Sequence, residues 1–315
     1  MNLSHAYSVP PPFELAERLL LRALDLGLTH FDTAALYGFG HNEELIGRVL
    51  KPHRGQITLA SKCGITGIDG RRMIDGRPES LLRDCENSLR RLRTEVIDLY
   101  YLHRWDRAVS IEDSMGALAR LVEAGKVRAI GLSEVSAATL RRAHAVHPVA
   151  VVQSEYSLWT RNPEVAVLEA CAELGTAFVA FSPLARGFLS DTDIDPQAFL
   201  DNDIRRHMPR FQAPQWQRNL RLLPSFRALA RQAGCSPAQL ALAWVLAQGE
   251  HLHVIPGTTS LDHLGDNFSV TELQLPEDFL AQAAQLISPA TVSGPRYNDA
   301  TQAEIDTEEL AETTA

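Results

Sequence analysis

Apolar residues recur along this chain in two alternating patterns, and the alternation predicts the fold. Ala16, Leu19, Leu20, Ala23 and Leu24 fall on one face at helical spacing and Gly27 follows as a stop, so residues 13–27 read as a helix. His30-Phe31-Asp32-Thr33 is then a short β-favouring run, and 42–50 is helical again, with Leu45, Ile46 and Val49 on one side. Across 57–62 the period drops to two, which places Thr58, Ala60 and Lys62 on one face of a strand. Pro78 suits a first helical turn ahead of Leu81, Leu82, Cys85, Leu89 and Leu92, and 96–103 is the next strand. The rhythm continues with helices at 111–124, 136–146 and 163–174 and strands at 128–133, 149–154 and 177–182. Helices at 224–233, 237–248, 261–267 and 276–287 and a strand at 252–255 complete it.

Strands dense in Val, Ile, Leu and Ala, each followed by a helix, predict a parallel sheet covered by helices. With 315 residues, the chain has the length of one eight-fold α/β barrel with extra loops. Only seven strands are counted, and the helix at 13 has no strand before it. The rhythm breaks at 183–217, an irregular stretch holding Arg186, Arg205, Arg206 and Arg210, whose length marks it as functional. From about Thr291 the chain turns polar and acidic. The expected organisation is a barrel over 1–290 and a loosely held tail over 291–315.

Composition narrows the function classes. Hydrophobic residues at 45% and charged ones at 22% are ordinary for a globular protein, and no apolar run reaches bilayer-spanning length. Residues 1–12 lack a basic start and a continuous apolar core, so a cytoplasmic protein is expected. Cys63, Cys85, Cys171 and Cys235 are widely spaced, which reads as buried thiols with no metal site. The net charge of −9 disfavours nucleic acid as a partner. Of 30 basic residues only Lys51, Lys62 and Lys126 are lysines, a hint that position 62 needs a compact ammonium rather than a guanidinium.

The chemistry sits at strand ends. Asp32, Tyr37, Lys62 and His103 lie at or just beyond three successive strands, and a barrel brings such positions to one mouth. A tyrosine hydroxyl has an ordinary pKa of about 10. A neighbouring ammonium stabilises the phenolate and lowers that value, and a carboxylate holds the ammonium in place. Tyr37 would then protonate a carbonyl oxygen with His103 as a second donor, a form of catalysis contributing roughly 10² to 10⁴ in rate. Taken singly, each residue also has an ordinary structural reading as a cap or packing group.

In its surroundings this set resembles the aldo-keto reductase superfamily, in the branch that also resembles the potassium-channel β subunits. The resemblance runs from about Met1 to Tyr297. It is carried by 31–38 (Phe-Asp-Thr-Ala-Ala-Leu-Tyr-Gly) with Asn42-Glu43, Ser61-Lys62, Leu102-His103, Ile130-Gly131-Leu132-Ser133, Val152-Gln153-Ser154-Glu155-Tyr156, 181–187 and Ile255-Pro256-Gly257-Thr258-Thr259. It implies a (β/α)8 TIM barrel binding NADP or NAD without a Rossmann domain, and no G-x-G-x-x-G follows a strand here. By resemblance Tyr37 is the proton donor, Lys62 and Asp32 tune it, and His103 orients the substrate. Ser133 and Gln153 would meet the nicotinamide carboxamide and Phe181 its ring. The loop opening Ser182-Pro183-Leu184 would fold over the pyrophosphate with Arg186 as a charge partner. Gly257, Thr258, His263, Asp266 and Asn267 would meet the adenosine end, and Trp105 the substrate. Glu134 stands where many members have asparagine, and its role is open.

Two departures from the family pattern carry expectations. The usual N-terminal hairpin and first barrel strand are missing or incomplete, which suggests that the true start lies upstream of Met1. No permanent cation stands in Gly257-Thr258-Thr259-Ser260 or at His263, where NADPH-preferring members place one, so a weak NADPH preference is expected unless arginines of 183–217 substitute. Three function classes follow: an NAD(P)H-dependent reductase of a small aldehyde or ketone, a cofactor-binding regulatory subunit with little turnover, and a lyase using Lys62 as a Schiff-base nucleophile.

Overall fold

The computed structural model describes residues 1–7, 9–68 and 71–310. Helix α1 (Phe13–Asp25) buries Ala16, Leu19, Leu20 and Ala23 and ends at Gly27, whose N–H closes on the Leu24 carbonyl. Strand β1 (His30–Asp32) and α2 (His41–Leu50) follow, then β2 (Thr58–Cys63), a two-stranded antiparallel ribbon of β3 (Ile65–Ile68) and β4 (Arg71–Ile74), and α3 (Pro78–Leu92). The β5 (Ile97–Leu102), α4 (Ile111–Glu123), β6 (Val127–Ser133), α5 (Ala137–Val146), β7 (Val149–Glu155), α6 (Val167–Leu174) and β8 (Ala177–Phe181) elements continue the alternation. After a long excursion come α7 (Gln215–Leu220), α8 (Leu223–Gln232), α9 (Pro237–Leu246), β9 (Leu252–Ile255), α10 (Leu261–Phe268), α11 (Glu277–Leu286) and α12 (Asp299–Gln302).

Seven strands pair in the order β1-β2-β5-β6-β7-β8-β9, all parallel, and form a nearly closed barrel. Successive residues of a strand point to opposite sides. Leu59, Cys63, Tyr100 and Leu102 join the large apolar layer under the helices, whereas Ala60, Leu99 and Tyr101, with Ala129 and Val151, fill the barrel interior. Gly131 makes room for that filling: a Cβ there would stand 2.3 Å from the Tyr101 ring. Continued to the strand ends, this inward phase delivers Asp32, Lys62, His103, Ser133, Gln153, Glu155 and Phe181 to the same mouth.

The open side lies between β1 and β9. Asn2 rests against Gly257 just past β9, while Gly38, just past β1, donates its N–H to His5 Nδ1 and Asn42 donates to Ser4 Oγ at 2.8 Å. Residues 2–5 therefore run between the two strand ends. No described helix is long and apolar enough to cross a membrane.

The tail differs from its expectation. Arg296, Tyr297, Ile305 and Thr307 are buried, and the segment is laced across the mouth. Asp306 accepts from Ser136 Oγ at 2.9 Å and Glu308 from the Ala137 N–H at 2.7 Å, so two acids sit at the N-terminus of α5, where backbone donors lack intrahelical partners. The acidity that reads as a solvated tail is what docks it.

Candidate active site

Lys62 lies 1% exposed at the end of β2. Its Nζ donates to Asp32 Oδ1 on the adjacent strand, to the Thr33 carbonyl at 2.9 Å and to the Tyr37 hydroxyl at 3.4 Å. The other Asp32 oxygen accepts from Gln153 Nε2 at 2.8 Å. Burial is the largest influence on the ammonium and works to lower its pKa. Asp32 and Tyr37 outweigh it, and the net direction is upward, so Lys62 keeps its charge.

Tyr37 reaches this ammonium on a tight turn (Tyr37–Gly40) in which Gly38 and Gly40 take positive φ. Gly40 is fixed twice over: its φ is +99°, and a Cβ would lie 2.7 Å from Arg91 Cδ. The turn is anchored by Thr33 Oγ1 donating to Asn42 Oδ1 at 2.7 Å. The expected lowering of the phenol's pKa is not the net result. Burial raises it above 10.0, and Lys62 is the first of the influences pulling it back. The hydroxyl therefore holds its proton at neutral pH.

The His103 ring meets the Tyr37 ring edge-on, 5.9 Å between centroids. Burial drives its pKa well below 6.5, with Arg104 and Lys62 acting in the same direction, so the imidazole is neutral at pH 7. Its Nδ1 is buried without a partner.

Next to this group lie the ends of β6, β7 and β8. Ser133 and Gln153 are paired in register, and Ser133 Oγ accepts from Arg104 Nη1 at 3.1 Å. Glu134 takes a left-handed backbone (φ +57°); its Oε1 accepts from the Glu155 N–H at 2.8 Å and from Arg296 Nη2 at 2.5 Å, while its Oε2 is buried and unpartnered. Phe181 stands opposite Glu155 in the β7–β8 register. The following turn sets Ser182, Ala185 and Arg186 at positive φ, buries Pro183, and closes on the Leu184 carbonyl, which accepts from the Gly187 N–H at 3.0 Å.

Arg186 does not present a free cation. Its guanidinium donates to Glu155 Oε2 at 2.7 Å, Tyr297 OH at 3.0 Å and Tyr7 OH at 3.2 Å. Burial alone would raise Glu155; Arg186, Arg296 and Arg210 bring it down to about 2. The remaining loop arginines are also engaged: Arg205 with Asp203, Arg206 with Asp201, and Arg210 with the carbonyls of Trp159 and Gly294.

Of the residues expected at the adenosine end, Gly257 and His263 are exposed, and Thr258 closes a turn by accepting from the Ser260 N–H at 3.0 Å. Asp266 is occupied by the Ser236 hydroxyl at 2.7 Å, and Asn267 is buried. Trp105 donates to the Val109 carbonyl at 2.9 Å and lies under two guanidiniums, Arg107 and Arg142, at 4.7 and 5.7 Å. The sequence reading missed Arg104, Glu155, Arg296 and Tyr297. One signal was available: Glu155 shares the inward phase of Gln153, and a carboxylate buried there requires a cation.

A family model described as aldo/keto reductase family matches residues 1–288. A probable aldo-keto reductase of Glycine max is 42% identical over 94% of this chain and 86% of its own length. An aldo-keto reductase of Schizosaccharomyces pombe, named as acting with NADP(+), is 41% identical over 93% and 88%. Among solved structures, a glycerol dehydrogenase of Gluconobacter oxydans superposes with a TM-score of 0.83 at 29% identity, covering 92% of this chain and 90% of that one. An aldo-keto reductase of Klebsiella pneumoniae in complex with NADPH gives 0.70 at 26% identity, covering 94% and 89%.

Proposed function

The chain belongs to the aldo/keto reductase family, an oxidoreductase of NAD(P)H-dependent carbonyl reduction, and we propose that Tyr37 is its proton donor, with Lys62, Asp32 and His103 completing the site. The observation that carries this reading is the position of the Lys62 ammonium, buried between the Asp32 carboxylate and the Tyr37 hydroxyl. A charge in that place has no packing value, and its counter-charge keeps it ionised.

The residues around it fit a nicotinamide. The Ser133 hydroxyl and the unpartnered Glu134 Oε2 offer donor and acceptor capacity for a carboxamide, and the unpartnered His103 nitrogen suits a carbonyl oxygen. When bound, the reduced cofactor supplies hydride to the carbonyl carbon. Tyr37 gives its proton to the oxygen, completing an alcohol, and the Lys62 ammonium steadies the phenolate left behind. Asp32 holds Lys62, Gln153 holds Asp32, and neutral His103 orients the oxygen through an N–H.

The segment 257–260 with His263 offers no permanent cation for a 2′-phosphate, and the loop arginines are engaged elsewhere, which supports a weak preference between NADPH and NADH. The four cysteines are free, which suits the cytoplasm. A panel of aldehydes and ketones followed by nicotinamide absorbance, run with each cofactor, tests the reading. Turnover with both cofactors at kcat/KM values within about tenfold is expected. No turnover with any carbonyl contradicts the enzyme, and a hundredfold preference for NADPH contradicts the cofactor reading.

A further inference from the structure

We propose that Arg296, delivered by the segment that follows the barrel, is a positioning residue for cofactor binding: it clasps the ends of β6 and β7 and so fixes Ser133 and Gln153. This rests on the proposed reading of Ser133 and Glu134 as carboxamide contacts and of Gln153 as the residue that holds Asp32.

Arg296 is 8% exposed and reaches both strand ends at once, with Nη2 donating to Glu134 Oε1 at 2.5 Å and Nε to Glu155 Oε2 at 3.1 Å. Glu134 Oε1 also accepts from the Glu155 N–H, and Glu134 donates its own N–H to the Gln153 carbonyl at 3.1 Å. Glu134 thus directly follows Ser133, and Glu155 lies two residues past Gln153, which holds Asp32. The positive φ of Glu134 is a conformation a non-glycine residue keeps only under constraint, and these bonds supply it.

Without the guanidinium, Glu134 is a buried carboxylate holding a single backbone donor, beside a second buried carboxylate that retains Arg186. Leaving one member of a buried pair uncompensated is costly; it is relieved by uptake of a proton or by separation of the β6 and β7 ends, and either breaks the clasp as it stands. The segment carrying Arg296 is itself pinned by Arg72 to Glu304 at 2.5 Å, Arg107 to Asp306 at 2.9 Å, and Asn162 to the Glu308 carbonyl at 2.9 Å. Before Arg296 the segment is held at Ser293, whose N–H donates to Asn219 Oδ1 at 2.8 Å and whose carbonyl accepts from Asn219 Nδ2 at 3.0 Å. A strap tied on both sides of Arg296 would be needless for a solvated tail, and it serves to place that guanidinium.

The test compares the full chain with Arg296→Met, Arg296→Lys, Glu134→Gln and the double variant Arg296→Met with Glu134→Gln. NADPH affinity is read from quenching of protein fluorescence, kcat at saturating cofactor from absorbance, and folding from thermal melts. Arg296→Met is expected to weaken NADPH binding tenfold or more with kcat within threefold of the parent. Arg296→Lys should fall between the two. Adding Glu134→Gln to Arg296→Met should bring affinity to within threefold of Glu134→Gln alone, because a neutral amide needs no counter-charge. If Arg296→Met does not fold, Arg296→Lys with and without Glu134→Gln gives the same comparison. Unchanged affinity in the Arg296 variants overturns the clasp while leaving the site standing, as does equal loss with no recovery in the double variant. A parent chain that binds no nicotinamide cofactor overturns the site itself.

Discussion

An ammonium sealed from water loses its proton unless something nearby makes the charge worth keeping, and Lys62 has a carboxylate, a carbonyl and a phenol within reach. The same burial that threatens Lys62 raises Tyr37 and lowers His103. The signs fix a pH profile. An acid whose pKa lies above 10.0 stays protonated throughout the neutral range, and an imidazole held well below 6.5 stays neutral there. Carbonyl reduction should therefore show kcat/KM flat between about pH 6 and pH 9, falling only as Tyr37 deprotonates on the far alkaline side. An inflection centred near the ordinary histidine value would contradict a neutral His103. The placement of Asp32, Lys62 and His103 at one mouth was legible in the sequence because strand periodicity fixes which side chains face inward, and Tyr37 follows on the turn after β1. Their net pKa directions were not, because burial depends on what covers the mouth.

At the scale of elements, the floor of the barrel is stapled as firmly as the mouth. Asp98, at the start of β5, accepts from the Leu59 N–H of β2 at 2.8 Å and pairs with Arg54 at 2.6 Å and with Arg128 of β6 at 2.8 Å. Asp98→Ala leaves a buried N–H and two cations without their acceptor, a loss of about 2 kcal/mol. Thermal melting should drop by a few degrees while kcat stays within twofold, since the chemistry is at the opposite end. An unchanged melting temperature would show that the staple contributes nothing. The barrel strands and the helices between them were readable within a few residues because each carries its own period; the short helices α7 and α12 were not. The β3–β4 ribbon is too short for a period, and the strap was misread because Glu134 and Arg296 are 162 positions apart, with Ala137 and Glu308 171 apart. Polarity there encodes docking to distant groups, which no local pattern reveals.

For the molecule as a whole, alternating strands and helices predicted the parallel barrel, and among the described residues the count of seven barrel strands holds. How residues 2–5 run between the ends of β1 and β9 could not be read from them, since that passage depends on side-chain contacts with Gly38, Asn42 and Gly257. The barrel brings the ends of β1, β2 and β5 together; in the proposed reading this lets Tyr37 and His103 meet one carbonyl oxygen while the Lys62 ammonium stands behind the phenol. The most direct measurement is Tyr37→Phe, read for both carbonyl reduction and NADPH binding. Removing only the hydroxyl should cut kcat by about 10² or more while cofactor affinity stays within about threefold. Reduction at the parent rate by the phenylalanine variant would contradict the account.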